Sequence, residues 1–311
     1  MVLDLGMIVG GLVLLVLAGD ALVRGAVNLA LRLGIPALIV GLTVVAFGTS
    51  APELLVSVQA VLAGAPALAL GNVIGSNTAN ILLVLGIPAL IAAIPVTRAL
   101  AGDWVMMMGA SLLFIALAFA GPLTWWHGLV LLAGLAGMLG ISYARAVAHR
   151  NGAAEDDLEG VEEGIAGWKI AALLVGGLIG LPIGAHLLVT GSVSIARDLG
   201  VSEAVIGLTL VAVGTSLPEL ATSIAAALRR EAGVVMGNVL GSNIFNLLGI
   251  MGVAALIGPM PLPEQMLRLD LWVMLGTSAV LALWIFAGRP IGRMSGVALI
   301  AGYGLYLWSL F

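Results

Sequence analysis

Ten apolar runs follow one another along the chain, separated by short polar or Pro- and Gly-containing breaks. They fall at roughly 5–30, 37–63, 68–92, 103–120, 125–147, 168–196, 203–229, 234–257, 270–287 and 293–310, with ends good to about three residues. The runs are continuous rather than alternating, which predicts membrane-spanning helices and not barrel strands. One longer hydrophilic stretch interrupts them, His149 to Gly167. It divides the chain into a first five-helix half (1–148), a linker (149–167) and a second five-helix half (168–311). The expected fold is an all-α polytopic membrane protein of ten transmembrane helices. With five spans per half, the second half enters the membrane from the opposite side, so the two halves form inverted-topology repeats.

Composition agrees. Of 311 residues, 61% are hydrophobic and 9% charged, against about 25% charged in a soluble domain. The 43 glycines suit helices that approach closely in lipid. With no cysteine, disulfides and thiolate metal sites are excluded. Met1 to Ala18 carries no Lys or Arg ahead of its apolar run, which reads as a first span and not a cleaved signal peptide. Ten of the 12 basic residues fall on one side of this layout: Arg24, Arg32, Arg98, Arg145, Arg150, Lys169, Arg229, Arg230, Arg289 and Arg293. Arg197 and Arg268 fall on the other. Basic residues mark the cytoplasmic side, which puts both termini outside the cytoplasmic membrane and the linker inside.

Two segments repeat. Gly41 to Ser57 reads GLTVVAFGTSAPELLVS, and Gly207 to Ser223 reads GLTLVAVGTSLPELATS. Each is followed at the same distance by a second signature, GNVIGSNTAN (Gly71 to Asn80) or GNVLGSNIFN (Gly237 to Asn246). A constant offset of 166 residues therefore relates Glu53 to Glu219 and Asn80 to Asn246. An ionisable group inside a membrane helix is costly and marks a functional site by default. Two of them, each beside a helix-breaking proline, point to a cation site between the halves.

The residue types say which cation. Pro52 has no N–H to give and crowds the preceding turn, so a kink is expected near Gly48, with carbonyls freed around Ala46 and Phe47. Thr49, Ser50 and Glu53 add side-chain oxygens; Thr49 and Glu53 are one turn apart on one face. Ala212, Thr215, Ser216 and Glu219 repeat that set. The partner helices bring Ser76 with Asn80, and Ser242 with Asn246, again at i, i+4. Asn72 and Asn238 lie one turn earlier and are either further ligands or braces for the kinked backbone. An oxygen-only set favours Na⁺, K⁺, Ca²⁺ or Mg²⁺ over zinc or copper. A single Ser, Thr or Asn in a membrane helix is more often interhelical glue than ligand; twofold repetition around two carboxylates reverses that expectation.

These motifs resemble the α-repeats of the cation/calcium exchanger superfamily, most closely its prokaryotic sodium/calcium exchangers, and the resemblance covers the whole chain. It implies a Ca²⁺/Na⁺ antiporter working by alternating access: no enzyme, no cofactor, no nucleic acid and no obligate protein partner, only lipid and the transported ions. By motif position, Thr49, Glu53, Thr215 and Glu219 correspond to shared Ca²⁺ ligands. Ser50, Ser76, Asn80, Ser216, Ser242 and Asn246, with the carbonyls of Ala46 and Ala212, correspond to Na⁺-site or central-site residues. One departure stands out: archaeal and potassium-dependent relatives often carry Asp where this chain has Asn246, so the centre holds two formal negative charges.

Rival functions are a proton/calcium exchanger, with the two Glu carrying protons; an intramembrane protease, whose dyad normally uses two Asp; and a passive channel. Asp20 and His186 are also offset mates, expected to pair with each other, with Arg24 for Asp20, or to face water. Trp125, Trp126 and Trp168 read as interfacial anchors. The acidic run from Glu155 to Glu163 lacks the spacing of an EF-hand and reads as a solvated loop.

Overall fold

A computed structural model describes residues 2–150, 165–200 and 212–309. The acidic run, most of the linker and the start of the 203–229 helix lie outside the described residues. The first half runs α1 (Val2–Leu33), α2 (Ala37–Thr49), α3 (Ala51–Leu62), α4 (Pro66–Ile91), α5 (Arg98–Phe119) and α6 (Trp125–Arg150). The second runs α7 (Gly167–Asp198), α8 (Ala212–Thr215), α9 (Leu217–Leu228), α10 (Ala232–Ile257), α11 (Met266–Ala287) and α12 (Arg293–Ser309). Among the described residues, seven helices are long and apolar enough to cross a membrane, or eight if the bent pair α2–α3 is one span. The protein is an all-helical membrane protein.

Burial separates centre from periphery. The apolar stretches of α4 and α10 are 72% and 78% buried inside the protein, those of α1 and α7 only 22%. The lipid-facing pair is joined by small residues. A Cβ on Gly11 would meet the Gly184 carbonyl, one on Gly177 would meet Leu22, and one on Gly191 the Asp4 carbonyl. Those pairs climb one helix as they descend the other, so α1 and α7 run antiparallel. With no hydrophobic drive between helices in lipid, such backbone proximity is what van der Waals packing requires. At the centre, α2 lies along α10: a Cβ on Gly237 or Gly241 would stand 2.4 Å from the carbonyl of Leu38 or Leu42.

The loops repeat too. Ile94 and Ile291 exchange backbone hydrogen bonds of 3.0 and 2.9 Å, as do Leu123 and Met260 at 3.0 and 2.8 Å. Arg98 reaches the Phe286 carbonyl, Arg293 the Leu90 carbonyl, and Arg145 the Asp103 carboxylate. Each contact joins groups that the hydropathy layout assigns to the same face. Trp125, Trp126 and Trp168 are exposed, as anchors should be.

Candidate ion site

The two repeated segments meet at the middle of the protein because their helices break there. α2 and α3 are bent by 43°. The bend falls at Ser50 (φ −83°, ψ 6°), and at Ser216 the backbone is nearly the same (φ −89°, ψ 5°). Pro52 and Pro218 sit in the first turn beyond each break, where a missing N–H costs nothing. The break spares one carbonyl that the kink was expected to free: Ala46 O accepts from Ser50 N–H at 3.1 Å and from Thr49 Oγ1 at 3.3 Å. The i+4 amide and a threonine hydroxyl satisfy it, so the helix stays closed up to Ser50 and turns after it.

Ser50, Thr49, Glu53, Ser216 and Glu219 are all at most 2% exposed. Ser76, Asn80, Ser242 and Asn246 are buried opposite them on α4 and α10. Asn80 opens a wide, π-type turn (Asn80–Val84) and Asn246 lies in another (Phe245–Ile250); such turns recur at functional sites. Thr215 is only part-buried.

Hydrogen bonds hold the site in offset-related pairs. Asn72 Nδ2 donates to the Glu53 carbonyl at 3.2 Å and to Ser57 Oγ at 3.0 Å. Asn238 Nδ2 does the same to the Glu219 carbonyl at 3.2 Å and to Ser223 Oγ at 3.1 Å. Their Oδ1 atoms accept across the molecule, Asn238 from Thr49 at 3.2 Å and Asn72 from Thr215 at 3.5 Å. These two asparagines brace the broken helices. Asn77 and Asn243, absent from the sequence-based site, bond each other's backbone carbonyls and the side chains of Asn246 and Asn80. Their signal was the repeat itself, since both stand inside the second signature; nothing marked them off from the other asparagines there.

After these bonds, some buried oxygens have no partner: Glu53 Oε2, Glu219 Oε2, Asn80 Oδ1, Asn246 Oδ1, Ser216 Oγ and Ser242 Oγ. Buried polar atoms are almost always bonded, yet here six orphans gather on the repeated motifs. Carboxylate, amide and hydroxyl oxygens in a dry centre are the donor set of a hard cation. Asp20 and His186 are elsewhere. Asp20 pairs with Arg229 on the opposite half instead of with Arg24 or His186, and His186 is exposed.

The sodium/calcium exchanger protein model matches residues 3–144 and 169–311. The chain belongs to that family. Within it, the chain is 33% identical over 339 residues to the sodium/calcium exchanger MaX1 of Methanosarcina acetivorans, covering 97% of this chain and 96% of that one. It is 36% identical over 307 residues to the putative antiporter CaxA of Alkalimonas amylolytica, with the same coverage. A solved structure of the sodium-calcium exchanger NCX_Mj, soaked with 10 mM Na⁺ and no Ca²⁺, superposes with a TM-score of 0.86 at 35% identity, over 100% of this chain and 99% of that one. The exchanger fold thus covers both halves, and the family is one of transporters, not enzymes.

Proposed function

We propose that this family member exchanges Ca²⁺ against Na⁺ across the cytoplasmic membrane by alternating access, with both ions bound at the break of α2–α3 and α8–α9. The observation that carries this reading is the group of six unpartnered buried oxygens on two repeated motifs around Glu53 and Glu219. Thr49, Glu53, Thr215 and Glu219 ligate Ca²⁺. Ser50, Ser76, Asn80, Ser216, Ser242 and Asn246, with the Ala212 carbonyl, serve Na⁺ and the central position; the Ala46 carbonyl, already bonded within its helix, is left out of the set. Two carboxylates neutralise one Ca²⁺ or two Na⁺, so the two cargoes compete for one charge balance.

The antiparallel packing of α1 on α7 supports ten spans in two inverted repeats, 1–148 and 168–311, joined by a cytoplasmic linker, 149–167. Access from one side at a time is supported by an inequality between equivalent pairs. Thr49 and Asn238 are sealed, whereas Thr215 and Asn72 are part-exposed. Nothing supports an intramembrane protease. The test is ⁴⁵Ca²⁺ uptake into proteoliposomes under Na⁺, K⁺ or H⁺ gradients applied separately. Uptake driven by an outward Na⁺ gradient is expected; uptake driven by a pH gradient alone would replace this reading with proton exchange.

A further inference from the structure

Asn80 and Asn246 each leave Oδ1 without a partner while Nδ2 is bonded. A cation needs that polarity. An amide turned the other way would present two N–H donors to a positive charge. The question is what holds each amide in its orientation, since the two ends of an amide are nearly the same shape.

The answer starts from two backbone carbonyls, which can only accept. Asn243 Nδ2 donates to the Asn77 carbonyl at 3.4 Å, and Asn77 Nδ2 to the Asn243 carbonyl at 3.2 Å. These bonds turn each Oδ1 toward the other half's motif. Asn243 Oδ1 then accepts from Asn80 Nδ2, and Asn77 Oδ1 from Asn246 Nδ2, both at 3.0 Å. With Nδ2 held, Asn80 and Asn246 have only Oδ1 left for the site. All four asparagines are about 1% exposed, so no water competes for these bonds.

We propose that Asn77 and Asn243 are positioning residues that hold the side-chain amides of Asn246 and Asn80 with their oxygens toward the bound cation. Each acts on the opposite repeat. Asn77 governs Asn246 and Asn243 governs Asn80, so the two halves of the site are oriented by one another. A purely structural asparagine would not show this crossed dependence.

This inference rests on the ion site proposed above, and double-mutant cycles on the full-length protein test it. The readouts are the Na⁺ concentration for half-maximal Ca²⁺ exchange and, independent of transport, the Na⁺-induced rise in Tm of purified protein. Asn77→Ala is expected to raise the half-maximal Na⁺ concentration about tenfold, the effect of losing one charge-assisted contact, with the maximal rate changed less. In an Asn246→Ala background Asn77→Ala should add nothing, whereas with Asn80→Ala the two effects should multiply. Asn243→Ala should show the reverse pattern. Should the alanine variants not fold, Asn77→Ser and Asn243→Ser run the same cycles with a small polar side chain. Effects of Asn77 that multiply with Asn246 as they do with Asn80, or a single variant with unchanged Na⁺ response, would overturn the proposal. A wild type without Na⁺-driven uptake would sink the exchange reading alone, and the crossed pattern would still be read from the Tm shifts.

Discussion

Ser50 donates its hydroxyl to the Glu219 carboxylate across 3.0 Å, so a residue of the first repeat holds the carboxylate of the second. The offset mate does not reciprocate: Ser216 Oγ is buried without a partner. Two segments nearly identical in sequence therefore carry different bonding in one conformation, as a site that opens to one side at a time requires.

That difference is measurable. Ser50→Ala removes a donor from a buried carboxylate and is expected to destabilise the ion-free protein by about 1.5–3 kcal/mol. Ser216→Ala removes no bond, and an orphaned buried hydroxyl is itself costly, so its ion-free Tm should hold or rise. Both variants should need more Na⁺ for half-maximal exchange. Thermal unfolding in detergent without Na⁺ checks the first two expectations and a Na⁺ titration of exchange in proteoliposomes the third; equal Tm losses in ion-free protein would refute the asymmetry.

Glu53→Gln and Glu219→Gln keep size and hydrogen bonding but remove charge. Each should cut Ca²⁺ exchange by about a hundredfold or more, because neutral oxygens replace half of the site's negative charge out of water. The protein should still insert and purify as the wild type does. Near-normal ⁴⁵Ca²⁺ exchange by either variant would show that the carboxylates do not share the ion.

Helix contact sets a third expectation. Gly237→Ala drives a methyl into the Leu38 carbonyl, and backbone cannot rotate away as a side chain can. A loss of about 1–3 kcal/mol is expected from such overpacking. Gly140→Ala meets nothing within 4 Å and should be neutral or slightly stabilising, since Ala is the better helix former. Melting curves of the two variants side by side decide the matter.

Potassium should not be needed. The site residues carry two carboxylates, and both Asn80 and Asn246 are neutral. Adding K⁺ to Ca²⁺ would place three positive charges against two negative ones in a poorly screened centre. Wild-type Ca²⁺ flux should therefore persist when choline replaces all K⁺ on both sides of the membrane. A rate that collapses without K⁺ would show charge count to be the wrong guide to coupling.

Sidedness follows from the ten-to-two split of basic residues. Because the chain has no native cysteine, a single cysteine introduced at Gly152 or after Phe311 reports without background. An impermeant thiol reagent on intact cells should label the C-terminal cysteine and not Gly152→Cys. The opposite pattern would invert the assignment.

The apolar runs alone determined that this is a helical membrane protein, because burying backbone polar groups in lipid leaves few alternatives. The 166-residue offset also singled out Glu53, Glu219 and their Ser, Thr and Asn neighbours, since chemistry repeated in both halves stands out against a background of Leu, Val and Gly. Only the tertiary structure decided what each oxygen does. The Ala46 carbonyl is taken by Ser50 N–H and Thr49; Asn72 and Asn238 bind backbone; Asn77 and Asn243 bond across the centre; Asp20 finds Arg229. Motif spacing places a group on a helix face, but which of its lone pairs and protons are already taken depends on residues far away in sequence that folding brings within 3 Å or so. That partition between bonded and unbonded oxygens is what points to the candidate ion site, and no linear pattern contains it.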